Sequence, residues 1–393
     1  MGEVYLDNSA TTRVDPEVAE AMVHAASAAY GNPSSPHRKG LEAERLVRAA
    51  RQAVARALGG VEERSIIFTS GGTEANNLAV LGAARAAARH GRHVITTAVE
   101  HSSVLEACLA LGREGFDVTV LPVDGEGRVD AAAVEAALRD DTVLVSIQHV
   151  NNEVGTVQPV AAVGDLIRRR RGRGRYPLFH VDAVQSLGKF PLRPLDWGVD
   201  MMTVSAHKIH GPKGIGALFA AEGVRLAPLL FGGDQQGGLR PGTENVPGIA
   251  GFGRALDLTL EAMAAGAPDH LARLRARLLD GLRRHFPDAR VNGPADPDGA
   301  APHIVNVSFP GVRGEVLVHA LAEQDIYVST GSACHSRRGV TSHVIRALKV
   351  PDRYAQGTLR ISLSRHSTED DVDRLLEALG RLVPALAALA GRP

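Results

Sequence analysis

Cysteine is almost missing from this chain: only Cys108 and Cys334 carry a thiol among 393 residues. Two cysteines cannot build a disulfide framework, and no Cys/His spacing of the zinc-ligand kind is present, so neither a stapled nor a metal-organised fold is expected. Such scarcity suits a reducing compartment, and the expected location is cytoplasmic. A surplus of one charge is missing as well, because Lys+Arg and Asp+Glu both number 44. That balance gives no reason to expect nucleic acid or an anionic membrane as a partner. Neither a long apolar run nor a signal-peptide pattern occurs, which argues against a membrane anchor. No internal repeat stands out.

What is present reads as an ordinary globular chain, 44% hydrophobic and 22% charged. Its length is that of two or three domains at about 150 residues each. Short Val/Ile-rich strands alternate with Ala/Leu/Arg-rich helices from about residue 15 to 260; Arg92–Thr97, Thr142–Gln148, Leu178–Asp182 and Gly216–Ala220 are examples. Alternation of this kind predicts an α/β domain with a mainly parallel sheet covered on both faces. A Gly/Pro-rich segment, Phe231–Pro247, precedes a long helix and then an α+β region. The expected division is a large domain over 13–262 and a smaller one made of 1–12 and 263–393. The basic run Arg168–Arg175 reads as an exposed helix end and loop, with an acidic partner as the alternative.

Three segments carry chemistry. Lys208 follows the apolar run Val199–Val204 and precedes a Gly/Pro turn, so its amine stands at the end of a rigid element, where it can form a Schiff base with a carbonyl cofactor. Ser205 and His207 beside it are donors suited to a phosphate. In Phe179–Gln185 an apolar strand runs into Asp182 and then Gln185. A buried carboxylate there would keep the ring nitrogen of pyridoxal 5'-phosphate (PLP) protonated, and Gln185 could donate to its phenolic oxygen. The alternative for Asp182 is a cap on the next helix. In the third segment the strand Ser65–Thr69 meets the turn Ser70-Gly71-Gly72-Thr73 and then an Ala/Leu-rich helix, a place where backbone N–H groups approach an anion. This turn matches neither the dinucleotide nor the P-loop glycine pattern.

With these residues in order, the chain resembles the cysteine desulfurases, fold-type I PLP enzymes of the class V aminotransferase group. The resemblance is carried by Tyr5–Thr12, Gly31–Ser35, Thr69–Asn77, Glu100-His101, His149–Gly155, His180–Gln185, Ser205–Gly214, Arg240–Thr243 and Gly331–Cys334. It implies a fold-type I architecture: a mainly parallel, seven-stranded-type sheet in the large domain and a smaller α+β domain carrying the cysteine loop. It also implies roles. Lys208 holds PLP and moves protons, His101 stacks on the pyridine ring, and Asp182 pairs with its nitrogen. Gln185 and Asn152 lie near the phenolic oxygen and the substrate. Gly72, Thr73, Ser205 and His207 bind the phosphate, with Thr243 reaching the phosphate of a neighbouring subunit in a homodimer. Asn32 and Arg360 join Asn152 in binding substrate, Arg360 as the fork that clamps its carboxylate.

The two cysteines differ in setting. Cys108 lies in the apolar helical run Val104–Leu111 and reads as an inert buried thiol. Cys334 lies in a Gly/Ser-rich stretch ending in Ser336-Arg337-Arg338-Gly339, where positive charge favours the thiolate. The resemblance makes Cys334 the nucleophile that takes sulfur from L-cysteine as a persulfide, leaving L-alanine. An acceptor such as an iron–sulfur scaffold or a tRNA-thiolation enzyme would then receive the sulfur. The order Ala333-Cys334-His335-Ser336 departs from the family's usual loop and is similar to that of selenocysteine lyases, as is Arg240–Asn245. Lysis of L-selenocysteine is therefore the second reading. A plain aminotransferase would need PLP but no reactive cysteine.

Overall fold

In the computed structural model, residues 2–172, 174–294, 296–331 and 341–390 are described. The apolar runs form the strands of a central sheet, and the reason is visible in their burial: every residue of Thr142–Gln148 and of Leu178–Asp182 is buried. A strand covered on both faces needs a continuous apolar run rather than alternation.

The strands, in chain order, are β1 (Val4–Tyr5), β2 (Ile66–Thr69), β3 (His93–Thr97), β4 (Asp117–Leu121), β5 (Thr142–Gln148), β6 (Leu178–Asp182), β7 (Met201–Ser205), β8 (Gly216–Ala220), β9 (Arg290–Asn292), β10 (Ile304–Ser308), β11 (Ile326–Tyr327) and β12 (Thr358–Ser362). Seven of them form one sheet in the order β2-β8-β7-β6-β5-β3-β4. Only β8 runs against its neighbours; the other pairings in this sheet are parallel. Three expected strands shift at their limits, the one expected at Arg92–Thr97 starting at His93. Ser65 belongs to a 3-10 turn ahead of β2, and the strand expected at Val199–Val204 starts at Met201 and ends on Ser205.

Alternating side chains of these strands feed two cores. Phe179, Val181, Met202 and Val204 join the helices Pro16–Ser27, Arg38–Ala57, Val160–Arg171 and Val246–Ala264 in one. Leu144, Leu178 and Met201 join the opposite core. It includes the helix Ser102–Arg113 and the helix that begins at Gly72 and runs through a π-helical stretch, Leu78–Gly82, to Ala87.

A third core lies apart from both. Val4 and Leu6 pack there with Leu271, Leu274, Val305, Leu359, Ile361 and Leu375. Its framework is the antiparallel sheet β12-β10-β9, the parallel pair β1-β11 and the helices Ala267–His285 and Glu369–Ala390. The N-terminal segment is thus tied to β12: Asp7 bridges to Ser362, and the Asn8 amide donates to the Ser362 carbonyl at 2.9 Å. It then crosses to the larger sheet, where the Thr12 N–H donates to the His207 carbonyl.

Candidate active site

The parallel strands deliver their carboxyl ends to one place, where open α/β sheets bind ligands. There a pocket of about 270 Å³ is lined by Gly72, Thr73, His101, Asn152, Asp182, Gln185, His207, Lys208 and Arg360, together with Ser9, Ala10, Asn76, Ser103 and Gln148. Thr69 ends β2, Thr97 precedes His101 beyond β3, and Gln148 precedes Asn152 beyond β5. Asp182 is the last residue of β6, and Ser205 ends β7.

Lys208 sits on the 3-10 turn Ala206–Lys208 and donates its Nζ to the carbonyls of Ser9 and, at 2.7 Å, Ala10. Burial pushes its amine down to about 7; Arg360 and Lys189 press the same way, against Asp7 and Asp182. A lysine so poised can hold or give up a proton near neutrality.

Asp182 does not cap a helix, since a turn follows it. Its Oδ1 accepts from the Val184 N–H at 3.0 Å and its Oδ2 from Asn76 Nδ2 at 2.8 Å. The same Asn76 amide donates to Ser103 Oγ at 2.8 Å, and that oxygen lies 2.7 Å from His101 Nδ1. His101 Nδ1 also accepts from the Ser103 N–H at 3.2 Å, capping the helix Ser102–Arg113. Two donors on Nδ1 leave the proton on Nε2. Burial holds the ring below the usual histidine value, so it stays neutral. One buried chain of hydrogen bonds therefore joins the carboxylate of Asp182 to the imidazole of His101.

The phosphate candidates cluster on the turn side. A Cβ on Gly72 would stand 2.9 Å from Val184 Cγ2, so any larger residue would have to displace the Val184 side chain. Ser205 stands beside it, buried, with its hydroxyl unpaired. Thr73 is exposed at the helix start. His207 Nδ1 lies 3.2 Å from Thr11 Oγ1, and burial, helped by Lys208 and Lys213, pushes it down to about 3.

Arg360 on β12 is 2% exposed. Its Nη2 donates to Asp7 Oδ1 at 2.8 Å and its Nη1 to the Asn152 carbonyl at 3.0 Å, while Nε has no partner. Gln185 Nε2 donates to the Ser9 carbonyl at 3.1 Å.

Three expected residues do not line this pocket in their own chain: Ser205 stands next to Gly72 without lining it, and Asn32 and Thr243 lie away from it. Asn32 is exposed and uses Oδ1 to accept from the Ser34 N–H at 3.0 Å. Thr243 is exposed, too. Their neighbours Pro33, Ser34, Gln236 and Glu244 line a separate cleft of about 1010 Å³. Cys334 lies outside the described residues; the residues flanking its segment converge on Glu153, next to Asn152. Ser342 Oγ donates to Glu153 Oε2 at 2.6 Å, and a Cβ on Gly331 would stand 3.1 Å from that oxygen. Cys108 is fully buried, which pushes its thiol up to about 12.

Sequence reasoning gave no role to Asp7, Asn76, Ser103 or the Ser9 and Ala10 carbonyls. The first two lie inside segments already singled out, so proximity to a motif was their one signal. Ser103 lies just beyond the Glu100-His101 segment and left none, and the two carbonyls share the segment of Asp7 but carry no signal of their own, because a backbone oxygen has no residue type.

The family model described as aminotransferase class-V matches residues 4–375. A cysteine desulfurase of Trichormus azollae is 45% identical over 390 residues, covering 99% of this chain and 95% of that one. A solved NifS-like protein superposes with a TM-score of 0.90 at 40% identity, covering 98% of this chain and 100% of that chain. A third, solved as SspA in complex with cysteine, gives 0.79 at 33% identity over 93% of this chain and 100% of that one.

Proposed function

The chain belongs to the cysteine desulfurase family of the class-V aminotransferases, and from that membership we propose what each pocket residue does. The protein is a PLP-dependent cysteine desulfurase that converts L-cysteine to L-alanine and passes the sulfur onward. The observation that carries the reading is the convergence in one pocket of an amine, a carboxylate, a neutral imidazole and a guanidinium.

The residues fit PLP. The missing Cβ at Gly72 and the unpaired hydroxyl of Ser205 suit a phosphate, together with Thr73 and His207. Asp182, fixed by Asn76 and the Val184 N–H, offers a carboxylate to the ring nitrogen. Gln185 and Asn152 would hold the phenolic oxygen, and the flat neutral ring of His101 would supply a stacking face. PLP, when bound through Lys208, supplies the electron sink for labilising the substrate. Lys208 then carries protons at its Nζ, and His101 offers a proton donor at Nε2. Arg360 receives the substrate carboxylate with its free Nε, while Asp7 and Asn152 hold the rest of the fork in place.

The Cys334 thiolate takes the sulfur: an S–S bond forms, the substrate C–S bond breaks, and its electron pair stays with the carbon fragment that becomes alanine. A sulfur-acceptor protein of the iron–sulfur scaffold or tRNA-thiolation kind collects the persulfide sulfur. Two chains work together. Thr243 and Asn32 stand away from their own pocket, exposed beside residues of the open cleft, and Phe231 is 87% exposed with Leu230 and Tyr30 also uncovered. We place Thr243 at the phosphate and Asn32 at the substrate of the neighbouring subunit's pocket, and the boundary between the two domains at 262–263, in the last turn of the helix Val246–Ala264. The cytoplasm is the compartment in which free thiols of this kind persist.

The test is an assay of PLP-loaded protein with L-cysteine and a thiol reductant, reading alanine, sulfide and protein persulfide. Cys334→Ala keeps the lysine–cofactor colour, makes no persulfide and releases almost no sulfide, yet retains much more activity on L-selenocysteine, whose C–Se bond is weaker. Sulfide release from cysteine at the wild-type rate by this variant would overturn the persulfide role.

A further inference from the structure

A second lysine stands behind the first. Lys189 lies on the turn that follows Asp182 and Gln185, and its Nζ donates to the Lys208 carbonyl at 2.7 Å. The two lysines share a narrow cavity of about 30 Å³, distinct from the cofactor pocket; Lys208 lines both, Lys189 only the narrow one. Lys189 therefore reaches Lys208 from the side away from the reacting atoms. Among the described residues no carboxylate pairs with it.

The groups that face Lys189 are cationic or neutral. Arg365 is one, itself ion-paired with Asp15 on the far side, and Lys208 is another. His303 is fully buried with an unpaired Nδ1, and burial keeps it well below the usual histidine value. Around Lys208 the remaining charges are Arg360, which lowers its proton affinity, and Asp7 and Asp182, which raise it; His101 and His207 are neutral. A lysine placed so, with a carbonyl for its one partner and cations for neighbours, is an expensive way to tether a turn.

We propose that Lys189 is a positioning residue for Lys208: it grips the Lys208 carbonyl from behind the pocket and sets positive charge beside the amine, so that Lys208 presents a free base to its cofactor. The inference rests on Lys208 being the cofactor lysine. Burial brings Lys189 down to about 7, the same range as Lys208. Lys189 meets Lys208 at its carbonyl and not at its amine, so its charge acts on the Lys208 amine through space.

The test is a pH titration of the lysine–cofactor absorbance in PLP-loaded protein, which reads the protonation at Lys208 Nζ without turnover. Colour in the wild type and none in Lys208→Ala establishes the underlying reading separately. Lys189→Met removes the charge and the donor at nearly constant volume, and its titration midpoint rises by about half to one pH unit, a three- to tenfold gain in proton affinity. Lys189→Arg keeps both charge and donors, has the adjoining cavity for its extra atoms, and stays near the wild-type midpoint. An unmoved midpoint in Lys189→Met, or an equal shift in both variants, would overturn the proposal. Loss of fold in Lys189→Met would overturn it too, because it would make the lysine a structural anchor rather than a charge held at the fold's cost.

Discussion

The run 168–175 carries six arginines, and the pocket wall carries Lys208, Arg360, His101 and His207. Both are concentrations of basic residues, yet they end up in opposite states. Arg168 pairs with Asp165 and the carbonyls of Leu195 and Asp196, Arg170 with Asp140, Arg171 with Asp200 and the Pro177 carbonyl, and Arg175 with the Gly223 carbonyl. These contacts tie a helix end to neighbouring loops. In and beside the pocket, buried groups are left short: Arg360 Nε, Ser205 Oγ and Asn76 Oδ1 have no partner among the described residues, and the Lys208 amine meets only backbone carbonyls there. Density of charge does not mark a site here. The convergence of buried titratable groups on one pocket does, whereas a single unpartnered atom does not, since Arg171 Nε in the run is buried and unpartnered as well.

The sharpest break in that comparison is Lys208→Ala, which should abolish the cofactor colour and reduce turnover to background; a coloured, active variant would remove the pocket from the chemistry. Next comes Arg360→Ala. Truncating one side of a buried charge pair costs about 2–5 kcal/mol, so KM for cysteine should rise about thirty-fold or more. A KM within twofold of wild type would show that Arg360 is not the clamp.

Asn76→Ala strips Asp182 Oδ2 of its donor and cuts the link to Ser103, a loss of about 1–3 kcal/mol in urea unfolding. No change in stability would mean the buried chain is idle. Buried neutral histidines should act more gently. His180, fully buried between Ser146 and Thr203, is pushed by burial to about 3. Between that value and the unfolded value of about 6.5 the unfolded chain holds the extra proton, so stability is complete at neutral pH and falls as pH drops below about 6.5. The slope is about 1.4 kcal/mol per pH unit for such a group, and a flat urea midpoint between pH 7 and 5 would contradict it. Smallest of all, Arg170→Ala should change stability by less than about 1 kcal/mol, since its pair with Asp140 is exposed.

Much of the site was legible because its chemistry needs particular residue types at the ends of apolar runs. Lys208, Asp182 and Gly72 could each be named from a strand followed by a turn, and His101 from the family resemblance. The limits of β5, β6 and β8 were legible for a related reason: strands buried on both faces read as mostly apolar runs, with the few polar side chains inside them, such as Ser146 and His180, paired to one another. Asn76 and Ser103 were not, because their value lies in standing between Asp182 and His101, residues 81 positions apart in the chain that only the parallel β3-β5-β6 pairing brings together. Lys189 reads in the sequence as one more surface lysine after a glycine.

What the sequence alone determined was the family, the α/β alternation and the list of groups able to handle an amino acid on a carbonyl cofactor, since these depend on composition and local pattern. Tertiary structure decided which of those groups meet. It brings Asp7, from the first residues of the chain, onto Arg360 near the end, and it sets Lys189 against the back of Lys208. It also leaves Asn32 and Thr243 facing outward, away from the pocket of their own chain. The reason is that burial and hydrogen-bond partnership, which set proton affinity and the cost of an unpaired charge, belong to the packed environment and not to the residue.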